Sequence, residues 1–204
     1  MENLLHLLNL EELVRTAGYF GLSAIVFAES GLFFGFFLPG DSLLFTAGYL
    51  ASHGYLNVWV LAPLLSISAI AGDAAGYWFG KKVGPMIFKR PDSFLFSQKR
   101  VLDAQKFFEK YGARSLILAR FIPAVRTFTP IIAGVAGMPY GRFTLYNAAG
   151  GILWACSMPF AGYYLGALVP GSDRYVLPII GLIILMSVAP IAIQWKEWYK
   201  GTQE

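Results

Sequence analysis

Two arginines lie six residues apart inside an apolar stretch, in the segment ARFIPAVRTFTP at 119–130. On a straight helix Arg120 and Arg126 would point about 120° apart. Pro123 lies between them, removes a backbone donor and bends the chain, so the two guanidinium groups can converge. Because the planar guanidinium fork makes paired hydrogen bonds, two convergent arginines beside freed backbone N–H groups predict a phosphate clamp.

A second apolar stretch carries two carboxylates. Glu29 and Asp41 lie in residues 19–50, and Asp41 directly follows Pro39 and Gly40 at a predicted turn. Charges at membrane depth are costly unless they are paired or reach water, which makes them candidates for function. Since a carboxylate in low dielectric binds protons more readily, we predict that Glu29 and Asp41 couple protonation to release of an anion held by the arginines.

A purely structural alternative exists for these four charges. Glu29 could neutralise Arg120 and Asp41 could neutralise Arg126, and buried pairs of this kind add little stability relative to apolar packing. That alternative does not explain why both stretches are broken where the charges lie.

Two further polar residues are accessory candidates. Asp73 lies in AGDAAGYW and could equally hydrogen-bond a neighbouring helix. Asn147 lies in YNAAGGILW, beside Gly150 and Gly151, a pair that most simply permits close helix packing.

The composition is that of an integral membrane protein. Of 204 residues, 56% are hydrophobic and 14% are charged, against about 25% charged in soluble domains. Uncharged runs extend over 42–72, 143–172 and 175–195. Each is as long as the roughly 20 residues that cross a bilayer. They predict transmembrane helices at 57–80, 143–168 and 174–196.

The two charged stretches, 19–50 and 111–137, are interrupted by Pro and Gly. Irregular backbone at membrane depth is tolerated only where protein or water covers it, so both are predicted to be re-entrant hairpins, broken at Pro39, Gly40, Pro123 and Pro130. A full crossing by residues 19–38 is the competing topology. Residues 1–18 have leucines at helical spacing and predict an interfacial amphipathic helix.

An internal repeat relates the two halves. The segment Gly76–Gly80 (GYWFG) recurs as Gly162–Gly166 (GYYLG), 86 positions later. The sequence thus predicts one all-α integral membrane domain over residues 1–204. It is an inverted repeat of a re-entrant hairpin plus a transmembrane helix, with an additional C-terminal transmembrane helix.

The loop at 81–114 holds nine basic and three acidic residues, which predicts that it and the C-terminus are cytoplasmic. Anionic lipid headgroups are its expected partner rather than nucleic acid. The sequence has no metal-ligand cluster, nucleophile elbow or phosphate-binding glycine loop, so we expect no metal, no cofactor and no enzymatic activity. Association of two copies of the chain stays open.

Four segments together resemble the DedA family of VTT-domain membrane proteins: FLPGDSLL, AGDAAGYW, ARFIPAVRTFTPIIAG and YNAAGGILW. The resemblance implies a bacterial inner-membrane protein that moves polyprenyl phosphates or phospholipids between leaflets and is linked to the proton motive force. It also implies that the family's acidic pair is Glu29 and Asp41 and that its essential arginines are Arg120 and Arg126.

The first hypothesis is therefore proton-coupled translocation of undecaprenyl phosphate, or a related anionic carrier, for recycling in envelope synthesis. The arginines would bind the phosphate headgroup. The alternatives are a gradient-independent phospholipid scramblase and a small-ion or drug–proton antiporter in which the arginines serve only as counter-ions.

Overall fold

The computed structural model describes residues 10–31, 40–87 and 110–186, together with 106 and 108. This part of the chain contains helices and no strands. In chain order the helices are α1 Leu10–Gly31, α2 Gly40–Ser52, α3 Val58–Ile87, α4 Ser115–Ala119, α5 Pro123–Arg126, α6 Thr129–Val135, α7 Tyr140–Leu168 and α8 173–186. Pro39, much of the basic loop, and the end of the third predicted span with the C-terminus lie outside the described residues.

The first charged segment begins and ends at the same end of the molecule. Helix α1 bends at Gly18, whose φ is 55°, a positive value that glycine adopts readily because it has no Cβ atom. Beyond the bend, the Tyr19 hydroxyl accepts a hydrogen bond from the backbone N–H of Asn57 at 2.7 Å. On the other side of the bend, the guanidinium of Arg15 lies 4.1 Å from the centre of the Tyr55 ring. The N-terminal part of α1 and the residues that follow α2 therefore lie close together.

The second charged segment is broken into three short helices. The residue before Pro123 is extended, at φ −112° and ψ 103°, because the proline ring disfavours helical backbone at the preceding position. Helix α5 begins at Pro123, and α6 has a proline in its first turn. The two ends of this segment also lie together, because Phe108 and Ala113 pack in one cluster with Met138. The Tyr77 hydroxyl of α3 donates to the Met138 carbonyl at 2.5 Å.

Glycines allow the short helices to press directly on the backbone of the long ones. A Cβ atom at Gly80 of α3 would overlap the carbonyl oxygen of Ile131, and one at Gly162 of α7 would overlap that of Phe45. Phe45 and Ile131 are 86 positions apart, but Gly80 and Gly162 are 82 apart. In packing, Gly162 is therefore equivalent to Gly80. The sequence match instead pairs Gly162 with Gly76, which lies one helical turn before Gly80.

The same pattern holds from the side of the short helices. A Cβ atom at Gly48 of α2 would overlap the carbonyl oxygen of Pro159 in α7, and one at Gly134 of α6 would overlap that of Tyr77 in α3. Each long helix therefore packs against a short helix from the other half of the chain: α3 packs against α6, and α7 packs against α2.

The main apolar core lies between α1, α2, α3 and α7. Its fully buried residues include Leu22 and Val26 of α1, Leu43 of α2, Leu65 of α3 and Trp154 of α7. Helix α8 packs on α2 in a separate cluster around Val176 and Ile180, and the hydroxyl of Tyr49 donates to the Asp173 carboxylate.

The outward faces of the long helices are apolar as well. Trp59, Ile67, Leu145 and Leu177 are between 65% and 77% exposed. Within the described residues one helix, at Val58–Gly84, meets the length and hydropathy expected of a membrane span. Helix α7 has 29 residues, long enough to cross a bilayer, and carries more small and polar side chains.

Alanine at Gly134 should destabilise the fold. Its Cβ would overlap the Tyr77 carbonyl and approach the backbone nitrogen of Lys81 to 2.8 Å. Such overpacking costs about 1–3 kcal/mol. Gly141 is the matched control, since a Cβ there meets nothing within 4 Å and alanine in a helix is favoured by about 0.5–1 kcal/mol. Thermal unfolding in detergent should show a lower midpoint for Gly134→Ala and an equal or higher one for Gly141→Ala. Equal midpoints for wild type and Gly134→Ala would contradict the packing described.

Candidate functional site

A buried guanidinium joins three helices at the centre of the molecule. Arg126, the last residue of α5, donates from Nη1 to Oδ1 of Asp41 at 2.7 Å and from Nη2 to Oε1 of Glu29. Asp41 lies in the first turn of α2 and Glu29 near the end of α1. All three residues are buried, with at most 7% of their surface exposed. Both terminal nitrogens of Arg126 are therefore occupied by carboxylates from the other charged segment.

Trp154 completes this cluster from α7. Its indole Nε1 donates to the same Asp41 oxygen at 2.6 Å, and the Arg126 guanidinium lies 4.4 Å from the ring centre, in cation–π contact. Trp154 is a site residue that the sequence did not reveal. The available signal was its position seven residues after Asn147, which puts both on one face of a helix.

The second arginine has its own partners. Arg120 follows the last residue of α4 and donates from Nη2 to Asp73 of α3 and to Oδ1 of Asn147 at 2.6 Å. The amide of Asn147 in turn donates to the Ile70 carbonyl at 3.1 Å, which orients its oxygen toward the guanidinium. The two accessory candidates, Asp73 and Asn147, thus both accept hydrogen bonds from Arg120.

The structure resolves the pairing that the sequence left open. Asp41 pairs with Arg126, as the structural alternative has it, but Glu29 also pairs with Arg126 and not with Arg120. Arg120 pairs with Asp73 of the first long helix. Which carboxylate meets which arginine depends on the rotation of each helix, which the sequence spacing does not determine.

Glycines make room for the charged groups. A Cβ atom at Gly40 would overlap the carboxylate of Glu29. At Gly150 it would lie 3.3 Å from Cδ of Arg120, and at Gly151 3.4 Å from its Nη2. The Gly150-Gly151 pair also contacts Ile117 and Ile70, so it serves helix packing and space for Arg120 together.

The two clusters border one small cavity. It measures about 10 Å³, roughly the space of a single water, and Asp73, Arg120, Arg126 and Asn147 contribute to its lining. Four buried polar atoms around the clusters have no hydrogen-bond partner: Oε2 of Glu29, Oδ1 of Asp73, Nη1 of Arg120 and Nε of Arg126. Buried polar atoms are nearly always paired, so these mark donors and acceptors available to a ligand or to water.

The arrangement suits reversible binding of an anion. It supplies two guanidiniums, three carboxylates and an indole donor, all away from the surface. The described residues contain no group of His, Cys, Asp and Glu that could hold a metal ion.

Removing one partner of the Arg120–Asp73 pair should destabilise the protein strongly. Asp73→Leu leaves a buried guanidinium with Asn147 as its partner, and breaking a buried pair in this way costs about 3–5 kcal/mol. The double variant Asp73→Leu/Arg120→Met removes both charges and should recover most of that loss. Thermal unfolding of the two single variants, the double variant and wild type measures the coupling. Additive effects of the two substitutions would contradict a direct pair.

Comparison with known proteins identifies the family of the chain. The VTT domain family matches residues 38–164. The chain is 42% identical to Protein DedA of Escherichia coli (strain K12) over 197 residues, covering 94% of this chain and 90% of that protein. It is 44% identical to an uncharacterized membrane protein of Mycobacterium leprae (strain TN) over 177 residues, covering 87% and 79%.

A more distant relative is the inner membrane protein YqjA of Escherichia coli (strain K12), at 32% identity over 89% of this chain and 86% of that protein. No solved structure matches the chain. These matches show that the protein belongs to the DedA family of VTT-domain membrane proteins.

Proposed function

We propose that this protein translocates a polyprenyl phosphate, such as undecaprenyl phosphate, or a related anionic lipid carrier between membrane leaflets, coupled to the proton motive force. The observation that carries the proposal is the buried Arg126, held by two carboxylates of the opposite segment beside a second arginine. Fixed counter-ions would need only one carboxylate for each arginine. A guanidinium shared by two acids can instead exchange one of them for another anion.

Phosphate is the anion that two guanidiniums fit best. A guanidinium donates through a planar fork that matches two phosphate oxygens, which a lysine ammonium does not. Arg120 Nη1 already lacks a partner. A lipid phosphate needs a polar path only for its headgroup, because its chain stays in the bilayer. A wide pore is therefore unnecessary, and a small protein with a compact charged centre meets this requirement.

We further propose that residues 19–50 and 111–137 are re-entrant hairpins that meet near the middle of the bilayer. Support comes from the contacts of Arg15 with Tyr55 and of Tyr19 with Asn57, which bring the two ends of the first segment together. The tips of the two hairpins would then meet in the salt bridges of Arg126. The reciprocal glycine contacts of α2 with α7 and of α6 with α3 support the inverted repeat.

In this arrangement the first hairpin opens to the outside and the second to the cytoplasm. The basic loop and the C-terminus are cytoplasmic, where the loop contacts anionic headgroups. The relative whose name places it in the inner membrane supports a bacterial inner-membrane location. The protein acts as a transporter rather than as an enzyme.

Transport in proteoliposomes tests the clamp. Arg126→Ala should slow leaflet exchange of a labelled polyprenyl phosphate by about 10- to 100-fold, since a charged hydrogen bond contributes about 1.5–3 kcal/mol. Arg126→Lys should also be impaired, because a point charge replaces the fork. Arg174→Ala, at an exposed arginine outside the site, is the matched control. Wild-type rates in Arg126→Ala would remove the proposal.

The same vesicles separate the alternatives. Lipid exchange that continues at full rate after the proton gradient is collapsed would favour a scramblase. Proton-coupled flux of small cations without lipid movement would favour an antiporter.

Cysteine labelling tests the hairpin topology. In a Cys156→Ser background, Thr16→Cys and Tyr55→Cys should both react with a membrane-impermeant thiol reagent from outside, and Arg142→Cys should react only after permeabilisation. All three positions are exposed, so accessibility reports the side of the membrane. If Thr16→Cys and Tyr55→Cys label from opposite sides, the segment 19–38 crosses the membrane fully.

A further inference from the structure

We infer that the phosphate headgroup and protons bind this site together, so that transport is a phosphate–proton symport. Entry of a phosphate would displace Glu29 and Asp41 from Arg126, and the displaced carboxylates would take up protons. The inference rests on the proposed function and adds the sign and the electrical character of its coupling. Protonation here accompanies binding of the anion, whereas the sequence predicted that it would accompany release of the anion.

The charge of the cluster favours entry of the phosphate together with protons. Three carboxylates face two guanidiniums, so the fully ionised cluster has a net charge of −1. These charged groups come from α1, α2, α3, the residue after α4, and α5; α6 and α7 add neutral groups among the described residues, namely Thr129, Asn147 and Trp154. A phosphate that entered without protons would make a buried negative site more negative by one or two charges.

Most of the guanidinium donors are already occupied by carboxylates. Both terminal nitrogens of Arg126 are taken by Glu29 and Asp41. Arg120 has Nη2 taken by Asp73 and Asn147, whereas its Nη1 has no partner. A phosphate can therefore reach Arg120 first, but it can use the fork of Arg126 only by replacing the carboxylates there.

The site also has too little free space for a phosphate group. The cavity between the two arginines measures about 10 Å³, which fits a water but not a phosphate group. The ligand must take volume from groups that now fill the centre, and the carboxylates on Arg126 are the groups it replaces as hydrogen-bond partners. Asp73 stays on Arg120, which is also held by Asn147.

The displaced carboxylates have no other cation among the described residues that contact them. Asp41 keeps the indole donor of Trp154, and Glu29 lies against Gly40 with Oε2 unpartnered. A buried carboxylate without a cation costs several kcal/mol and becomes neutral by binding a proton. Each protonated acid then has an O–H donor to offer to a phosphate oxygen.

The charge balance follows directly. A phosphate monoester is close to a dianion at about pH 7.5, because its second pKa is about 6. One proton on Glu29 and one on Asp41 offset its two charges, so the loaded site has the same net charge as the empty one. The loaded site and the returning empty site then carry the same charge in opposite directions, so the complete cycle moves no net charge. It is driven by a pH gradient rather than by membrane voltage.

Calorimetry on the detergent-purified full chain measures the protons directly. Farnesyl phosphate is the probe, titrated at about pH 7.5 in two buffers with different heats of ionisation. We expect uptake of one to two protons per ligand. As the pH increases, the dissociation constant for farnesyl phosphate should rise by about tenfold per pH unit for each proton taken up, by thermodynamic linkage. Binding with no proton uptake, or with proton release, would overturn the symport.

Neutral isosteres identify the acceptors. Glu29→Gln and Asp41→Asn imitate the protonated acids, so each should bind farnesyl phosphate more tightly at about pH 7.5, take up one proton fewer and show a flatter pH dependence. Asp173→Asn, at an exposed carboxylate outside the site, is the matched control and should leave the uptake of protons per bound ligand unchanged. Proton uptake that is unchanged in Glu29→Gln and Asp41→Asn would contradict the assignment.

Transport by wild-type protein gives a test that does not depend on any variant. In proteoliposomes, a pH gradient with the acidic side on the side of loading should speed transfer of the labelled lipid. A potassium diffusion potential alone should not. Acceleration by voltage alone would overturn the electroneutral symport.

The control ligands separate failure of the inference from failure of the proposed function. If wild type does not bind farnesyl phosphate, or binds farnesol equally well, the phosphate site itself is wrong and the symport falls with it. If it binds inorganic phosphate as tightly as farnesyl phosphate, the substrate is free phosphate and the lipid assignment is wrong. Binding of farnesyl phosphate without protons leaves the proposed function intact and removes only the symport.

Discussion

The salt bridges of Arg126 are the constraint on which the rest of the structure depends. A buried guanidinium has to find carboxylates, and these come from the end of α1 and the start of α2. Glu29 and Asp41 are 12 residues apart in the sequence, and a continuous helix would hold them about 18 Å apart. They reach one guanidinium because α1 ends and α2 begins beside α5, so the interruption of the first charged segment is required by the charges.

Close backbone packing holds these helix ends in place. Short helices bury little apolar surface by themselves, so α2 and α6 gain contact by pressing on glycines of α7 and α3. The same absence of side chains at Gly40, Gly150 and Gly151 leaves the space in which Glu29 and Arg120 lie. Small residues thus serve the helix contacts and the charged centre at once.

The sequence predicted the class of the protein and which segments hold charge, because uncharged runs and interrupted apolar stretches can be read directly. It did not predict the pairing of Glu29 with Arg126 or of Asp73 with Arg120, since a pairing depends on how each helix is rotated. Trp154 was missed because a tryptophan in an apolar run resembles ordinary packing until its indole donor is seen on Asp41. The one-turn difference between the sequence match and the glycine packing has a similar cause. Glycines recur every four residues on α3, at 76, 80 and 84, so sequence matching alone accepts either register.

The division of the charged centre between the two halves of the chain has a consequence for biogenesis. Glu29, Asp41 and Asp73 all precede residue 88, whereas Arg120 and Arg126 follow residue 110. The ribosome therefore delivers three carboxylates that end up buried in the fold before either of their cations exists. Ionised carboxylates are poorly tolerated in hydrocarbon. The first half must wait in a protonated form, or in the aqueous interior of the insertion machinery, until the second half arrives. Assembly of the two halves is then an electrostatic event as much as a hydrophobic one.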